Sequence, residues 1–167
     1  CGDLIRPDVR LYWDQAVYKK PGTVQPVPWQ QDNGYTFVEP QQYLTCWIAL
    51  TDATLDNGCP RVVPGLHRQG TLAHEPSDLG FVCLPEETGY EAIEARAGDI
   101  VVFSSLTPHC TGANLTDQTR KSYIVQYAPD GAELVRSEGE GGSAREALND
   151  PDRQFPVLQA GIPVTSH

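Results

Sequence analysis

The apolar residues of this chain fall into short runs rich in β-branched and aromatic side chains, at Val9–Val17, Tyr43–Leu50, Ile100–Phe103 and Ser122–Tyr127, and no long stretch repeats with helical period. Such runs fit strands, because branched and aromatic side chains pack well on a pleated surface. Between them, Lys20-Pro21-Gly22, Asp56-Asn57-Gly58, Pro64-Gly65 and Ala97-Gly98-Asp99 supply fixed or positive φ where a chain reverses. Regularly spaced turns of this kind predict an all-β sandwich or barrel with minor helix. Tyr90–Arg96 alternates as an exposed strand does, with a helix as the alternative. Leu66–Glu87 is polar and irregular, either a lid over a cleft or a surface excursion. Beyond Asp130 the chain reads as loop, with a flexible acidic segment at Glu138–Ser143 and a helical turn at Ala144–Leu148. The expectation is a single domain over 1–167, with its core at about 9–128 and a loop-rich tail at 129–167.

A chain of 167 residues can bury a core without disulfide or metal staples. Its 12 Lys+Arg against 22 Asp+Glu give a formal charge of −10, which argues against a nucleic-acid partner because phosphate binding rests on cationic side chains. No apolar run approaches membrane-spanning length, and the N-terminus lacks the layout of a secretory signal, so a soluble cytoplasmic chain is expected. Five scattered cysteines, Cys1, Cys46, Cys59, Cys83 and Cys110, show no paired spacing and read as reduced thiols. A chain that begins at Cys1 and runs directly into strand-like sequence is expected to lack an N-terminal portion.

Four residues could carry chemistry together. Gln30 and Asp32 stand at i and i+2, a spacing that puts two side chains on one face of a strand end, and a distant strand can add His109. A carboxylate and an imidazole suit Fe(II), whereas the neutral amide of Gln30 is a poor third donor that weakens metal binding. Arg120 follows His109 after eleven residues, on a strand expected to run antiparallel to the histidine's strand and to face the same cavity, where its fork could clamp a carboxylate. Singly, an Asp before Asn-Gly reads as a turn residue and a His beside Pro as a satisfied polar group. His67 reads as a turn residue, His74 as a surface histidine and His167 as a solvated terminus. Cys110 beside His109 faces the opposite way on a strand.

Trp29-Gln30-Gln31-Asp32-Asn33-Gly34-Tyr35, Leu44–Leu50, Asp56-Asn57-Gly58-Cys59-Pro60, Val63-Pro64-Gly65-Leu66-His67, Gly98-Asp99-Ile100 and His109–Tyr127, in this order, resemble the phytanoyl-CoA dioxygenase family. That resemblance implies a double-stranded β-helix, the cupin-like jelly roll. It also implies Fe(II)- and 2-oxoglutarate-dependent hydroxylation of a small organic substrate. By position, Asp32 and His109 match the carboxylate and distal histidine ligands, and Arg120 matches the residue that binds the far carboxylate of 2-oxoglutarate. Thr111 matches a hydroxyl assisting that carboxylate, Trp47 an aromatic wall beside the co-substrate or a core residue, and Gln15 a further neighbour. Gln30 departs from the pattern, standing where the family has its first histidine ligand, and Arg61 and Glu75 replace expected bulky apolar residues. Two readings follow: an oxygenase with a weakened metal site, or a pseudo-enzyme or carboxylate-binding jelly roll that holds no iron.

Overall fold

The computed structural model describes residues 1–41, 43–137 and 142–165. In chain order the elements are β1 (Val9–Lys19), β2 (Val27–Gln30), one helical turn α1 (Asp32–Tyr35), β3 (Val38–Glu39), β4 (Leu44–Ala49), β5 (Pro60–Val62), β6 (Glu75–Ser77) and β7 (Gly80–Val82). They continue with β8 (Glu91–Ala92), β9 (Ile100–Ser104), β10 (His109–Thr111), β11 (Arg120–Pro129), β12 (Glu133–Ser137), β13 (Ser143–Ala147), β14 (Pro156–Gln159) and β15 (Ile162–Pro163). The larger sheet has the order β15-β14-β1-β11-β4-β9, and a second sheet the order β2-β10-β5-β8. These curled antiparallel sheets form the all-β architecture expected from the turn spacing and the double-stranded β-helix that the resemblance implies.

The two inner faces meet. The Phe103 ring on β9 lies 4.9 Å from the His109 ring on β10. Across the larger sheet the register sets side chains in rows, because residues paired on neighbouring strands share a face. Thr45 pairs with Gln126, Trp47 with Ile124 and then Gln15, Ala49 with Ser122 and then Val17, and Arg120 with Lys19. A bulge in β1 between Leu11 and Trp13 changes which residues of that strand face inward. One buried apolar cluster gathers Tyr12, Val38, Tyr43, Ala128, Ala132 and Leu148, and another Trp47, Ala49, Ala53, Cys59 and Ala95.

Several local expectations change. The region after Asp130 supplies four strands: β12 pairs with both β13 and β3, and β14 lies along the start of β1. Residues expected to form a helical turn, Ala144–Ala147, lie in β13, where Arg145 bridges Glu133 and Glu39 across the small sheet. Exposed edge strands carry charges rather than apolar runs, so their sequence resembles loop. The acidic stretch Glu138–Gly141 and His167 lie outside the described residues, and from Ser143 onward the former segment is strand. Glu91–Ala92 is strand, not helix, extended by an Ala53–Ala95 bridge. Leu66–Glu87 contains the β6–β7 hairpin, which packs on α1 through Tyr35 and Phe81 with ring centroids 5.4 Å apart. Arg61 lies over the Tyr90 ring at 4.6 Å, while Glu75 is exposed. All five cysteines are free, and no helix among the described residues is long and apolar enough to cross a membrane.

Candidate functional site

The segment Gln30-Gln31-Asp32-Asn33-Gly34 is held by what its alternate residues bury. Gln31 is fully buried and spends its amide on the backbone, donating to the carbonyls of Gly70 (3.0 Å) and Leu106 (2.6 Å) and accepting from Leu72 N–H (2.7 Å). Asn33, also fully buried, donates to Thr71 Oγ1 at 2.8 Å and accepts from Val38 N–H at 3.0 Å. Gly34 leaves room for the His74 ring, whose Cε1 would lie 2.0 Å from any Cβ there. His74 Nδ1 lies 2.9 Å from Leu72 O, and Nε2 accepts from Gln31 N–H at 3.0 Å. His74 is therefore a brace of this segment rather than a free surface histidine. With Gln31 and Asn33 anchored outward, Gln30 and Asp32 are left facing the cavity.

The strand geometry differs from the i, i+2 expectation in one respect. Gln30 ends β2, but Asp32 begins α1, so the pair is delivered by a strand end and a helical turn. His109 is the cross-strand partner of Gln30, and its Nε2 lies 3.5 Å from Gln30 Nε2 and 3.6 Å from Asp32 Oδ1. His109 Nδ1 is 2.9 Å from Thr107 O, a carbonyl that can only accept, so Nδ1 donates there and Nε2 is the nitrogen turned toward Asp32 and Gln30. Asp32 is oriented in turn. Thr45 donates its hydroxyl to Asp32 Oδ2, and Gln126 donates to Thr45 Oγ1 at 3.2 Å, leaving Oδ1 toward His109.

Any two ligands of an ion with bonds of about 2.1 Å are at most about 4.2 Å apart, so the 3.6 Å between Asp32 Oδ1 and His109 Nε2 fits one ion, with the Gln30 amide beside His109. Two of the donors, carboxylate and imidazole, have the chemistry for Fe(II). The third fits poorly: an amide contributes only a neutral oxygen, and only after turning its carbonyl inward. Among the described residues no group of three His, Cys, Asp or Glu could hold a metal, because the third position is Gln30. His67 lies in a surface turn and does not join the group.

Arg120 does not lie on a strand paired with the histidine's strand. It opens β11 in the larger sheet, next to β1 and β4, whereas β10 runs between β2 and β5. The candidate residues therefore come from different sheets. Arg120 is 2 % exposed, with Nη1 donating to Ser122 Oγ at 2.8 Å and Nη2 to Gly58 O at 3.2 Å, while Nε has no partner. Its guanidinium lies 5.4 Å from the Trp47 ring, which belongs to a buried cluster, so Trp47 is a core residue that packs beside Arg120. Burial pulls the Arg120 pKa below its ordinary value. Thr111, on the same strand face as His109, accepts a hydrogen bond from Lys19 Nζ at 2.9 Å. Lys19, 6 % exposed, was invisible as a site residue because it reads as the flank of the Lys20-Pro21-Gly22 turn.

A cleft of about 550 Å³ is lined by Gln15, Gln30, Asp32, Tyr12, Tyr43 and Gln126, among others. Gln15 thus shares a wall with the candidate ligands, and the Tyr43 hydroxyl is buried there without a hydrogen-bond partner. Cys110 faces away from His109, opposite Arg61, and burial pushes its thiol up to about 11. It takes no part in the cluster.

The family model for phytanoyl-CoA dioxygenase (PhyH) matches residues 3–122, and the chain belongs to that family. It is 32 % identical over 115 residues to a phytanoyl-CoA dioxygenase of Arabidopsis thaliana, covering 65 % of this chain and 41 % of the relative. It is 31 % identical over 127 residues to a methylphosphonate hydroxylase of Gimesia maris, covering 76 % of this chain and 48 % of the relative. The chain spans less than half the length of these two proteins. Among solved structures, EvdO2 from Micromonospora carbonacea var. aurantiaca, complexed with 2-oxoglutarate, superposes with a TM-score of 0.66 at 27 % identity, over 89 % of this chain and 58 % of that one.

Proposed function

We propose that this chain is the catalytic jelly roll of an Fe(II)- and 2-oxoglutarate-dependent dioxygenase that hydroxylates a small organic molecule, with a metal site weakened at Gln30. The observation that carries the reading is the convergence of Asp32 Oδ1 and Gln30 Nε2 on His109 Nε2, at 3.6 and 3.5 Å. Asp32 and His109 would hold the metal, with the amide oxygen of Gln30 as a weak third donor. A ferrous ion held there, with 2-oxoglutarate and O₂, supplies oxidative decarboxylation of the keto acid coupled to hydroxylation of a C–H bond. Thr107 O fixes the His109 tautomer, and Thr45 with Gln126 fixes the carboxylate, so neither ligand must reorganise on binding. Arg120 and Thr111 would bind the far carboxylate of 2-oxoglutarate, with Trp47 against its chain. Gln15, Tyr12 and Tyr43 line space for the substrate beside the ligands.

A second reading, a carboxylate-binding jelly roll without iron, is favoured by one detail. The Gln30 amide nitrogen faces the Nε2 lone pair that a metal would need. Anaerobic titration with Fe(II) or Co(II), followed by an assay for 2-oxoglutarate conversion to succinate without substrate, separates the two. Metal binding with slow succinate release is expected; no metal occupancy at saturating Fe(II) would end the oxygenase reading.

A further inference from the structure

Lys19 and Arg120 are cross-strand partners at adjoining positions of β1 and β11, and both are buried, at 6 % and 2 % exposed. Two cations side by side in a low-dielectric interior repel one another and lose their hydration, so an opposite charge ordinarily accompanies them. Among the described residues none does: no Asp or Glu carboxylate lies within 4.0 Å of either group. The two cations are instead bound to neutral oxygens. Lys19 Nζ donates to Thr111 Oγ1 at 2.9 Å and to the carbonyl of Gly112, and Arg120 donates to Ser122 Oγ and the carbonyl of Gly58.

The backbone is shaped to bring these groups together. Gly58 has φ +83°, and a Cβ on it would come within 2.5 Å of Gly112 O and 3.1 Å of Lys19 Cδ. The Gly58 backbone is therefore packed against the Gly112 carbonyl and the Lys19 side chain, and only a glycine at 58 allows it. Donor counting then leaves capacity unspent. An ammonium has three N–H donors and Lys19 uses two; the Thr111 hydroxyl accepts from Lys19 and keeps its own proton to give; and Arg120 Nε–H has no partner. Unspent donors on both cations and on the Thr111 hydroxyl are the complement of a carboxylate.

We infer that Lys19 is a second cationic residue of the 2-oxoglutarate seat, which binds the far carboxylate jointly with Arg120 and Thr111. This inference rests on the oxygenase reading given above. On it, Lys19 adds a charge-assisted hydrogen bond from β1 to the one from β11, so the carboxylate is gripped by adjacent strands of the larger sheet and by β10 of the other.

The test compares 2-oxoglutarate with oxalate on Co(II)-loaded protein by calorimetry, since oxalate can chelate a metal but has no distal carboxylate to reach Lys19. Lys19→Met is expected to weaken 2-oxoglutarate by about tenfold or more while leaving oxalate unchanged, and Lys19→Arg to restore much of the loss. Equal 2-oxoglutarate affinity in wild type and Lys19→Met overturns the inference. So does a parallel loss of both ligands, which marks a bracing role between β1 and β10, with melting temperatures of all variants recorded alongside. If the wild type binds neither ligand with Co(II), the oxygenase reading fails, and the seat is judged on metal-free protein with glutarate. Glutarate binding that disappears in Lys19→Met then supports the seat, and absence of glutarate binding overturns it.

Discussion

His109 Nε2 and Asp32 Oδ1 face each other across 3.6 Å, with the imidazole's other nitrogen committed to Thr107 O. Two electron-rich atoms in this arrangement call for a proton or a cation between them. The third member of the group, Gln30, decides which is held more firmly.

Gln30→His should raise Fe(II) or Co(II) affinity by at least about tenfold, because it replaces a neutral amide with an imidazole at the cross-strand partner of His109. Anaerobic calorimetry or the Co(II) absorption spectrum measures it. Unchanged affinity would mean that the three side chains do not act on one ion.

Thr45→Val keeps the side-chain shape and removes the hydroxyl that donates to Asp32 Oδ2. Metal affinity should fall by about tenfold, as for other groups that orient a ligand, with about 1 kcal/mol lost in stability. A metal titration and urea unfolding of the same variant report the two effects separately. Full metal affinity would show that Asp32 needs no such support.

Lys19 is held near 8 rather than at its ordinary 10.5, first by burial and then by Arg120. Between these values the unfolded chain keeps a proton that the folded chain has released, so this residue's contribution makes stability rise with pH from about 8 to 10.5. Cys83 and Cys110, pushed up to about 11 by burial, work the other way from their ordinary 9.0, since the unfolded thiols ionise first. The stability of wild type minus that of Lys19→Met should therefore increase across the window, because the thiols are common to both. A flat difference in urea unfolding would show that Lys19 is not held low.

Gly34→Ala should destabilise the protein by about 2–3 kcal/mol, since the new Cβ would lie 2.0 Å from the His74 ring. Adding His74→Ala should recover part of the loss, giving a coupling well outside additivity. Thermal or urea denaturation of the single and double variants measures it; strictly additive losses would place His74 elsewhere.

Much of this arrangement was legible along the chain because its causes are local. The four apolar runs became β1, β4, β9 and β11, and the Gly and Pro clusters mark reversals between strands. The tail was misread for an equally local reason: β12 to β15 are short, and β12 and β13 interleave charges such as Glu133, Arg136, Arg145 and Glu146, so no long apolar run announces them. Lys19, Thr45, Gln126 and His74 were also missed as site residues. Each is an ordinary polar residue whose importance lies in its partner on another strand or loop.

By itself the sequence determined the strand-and-turn pattern, the spacing of Gln30 and Asp32 two residues apart, and an amide rather than an imidazole at position 30, because spacing and side-chain chemistry are properties of the covalent chain. Only the tertiary structure decided that Arg120 and His109 stand on strands of different sheets, that Asp32 is steered by Thr45, and that Lys19 lies buried beside Arg120. Those outcomes depend on strand register and sheet curvature. A one-residue slip would turn each of these side chains to the other face.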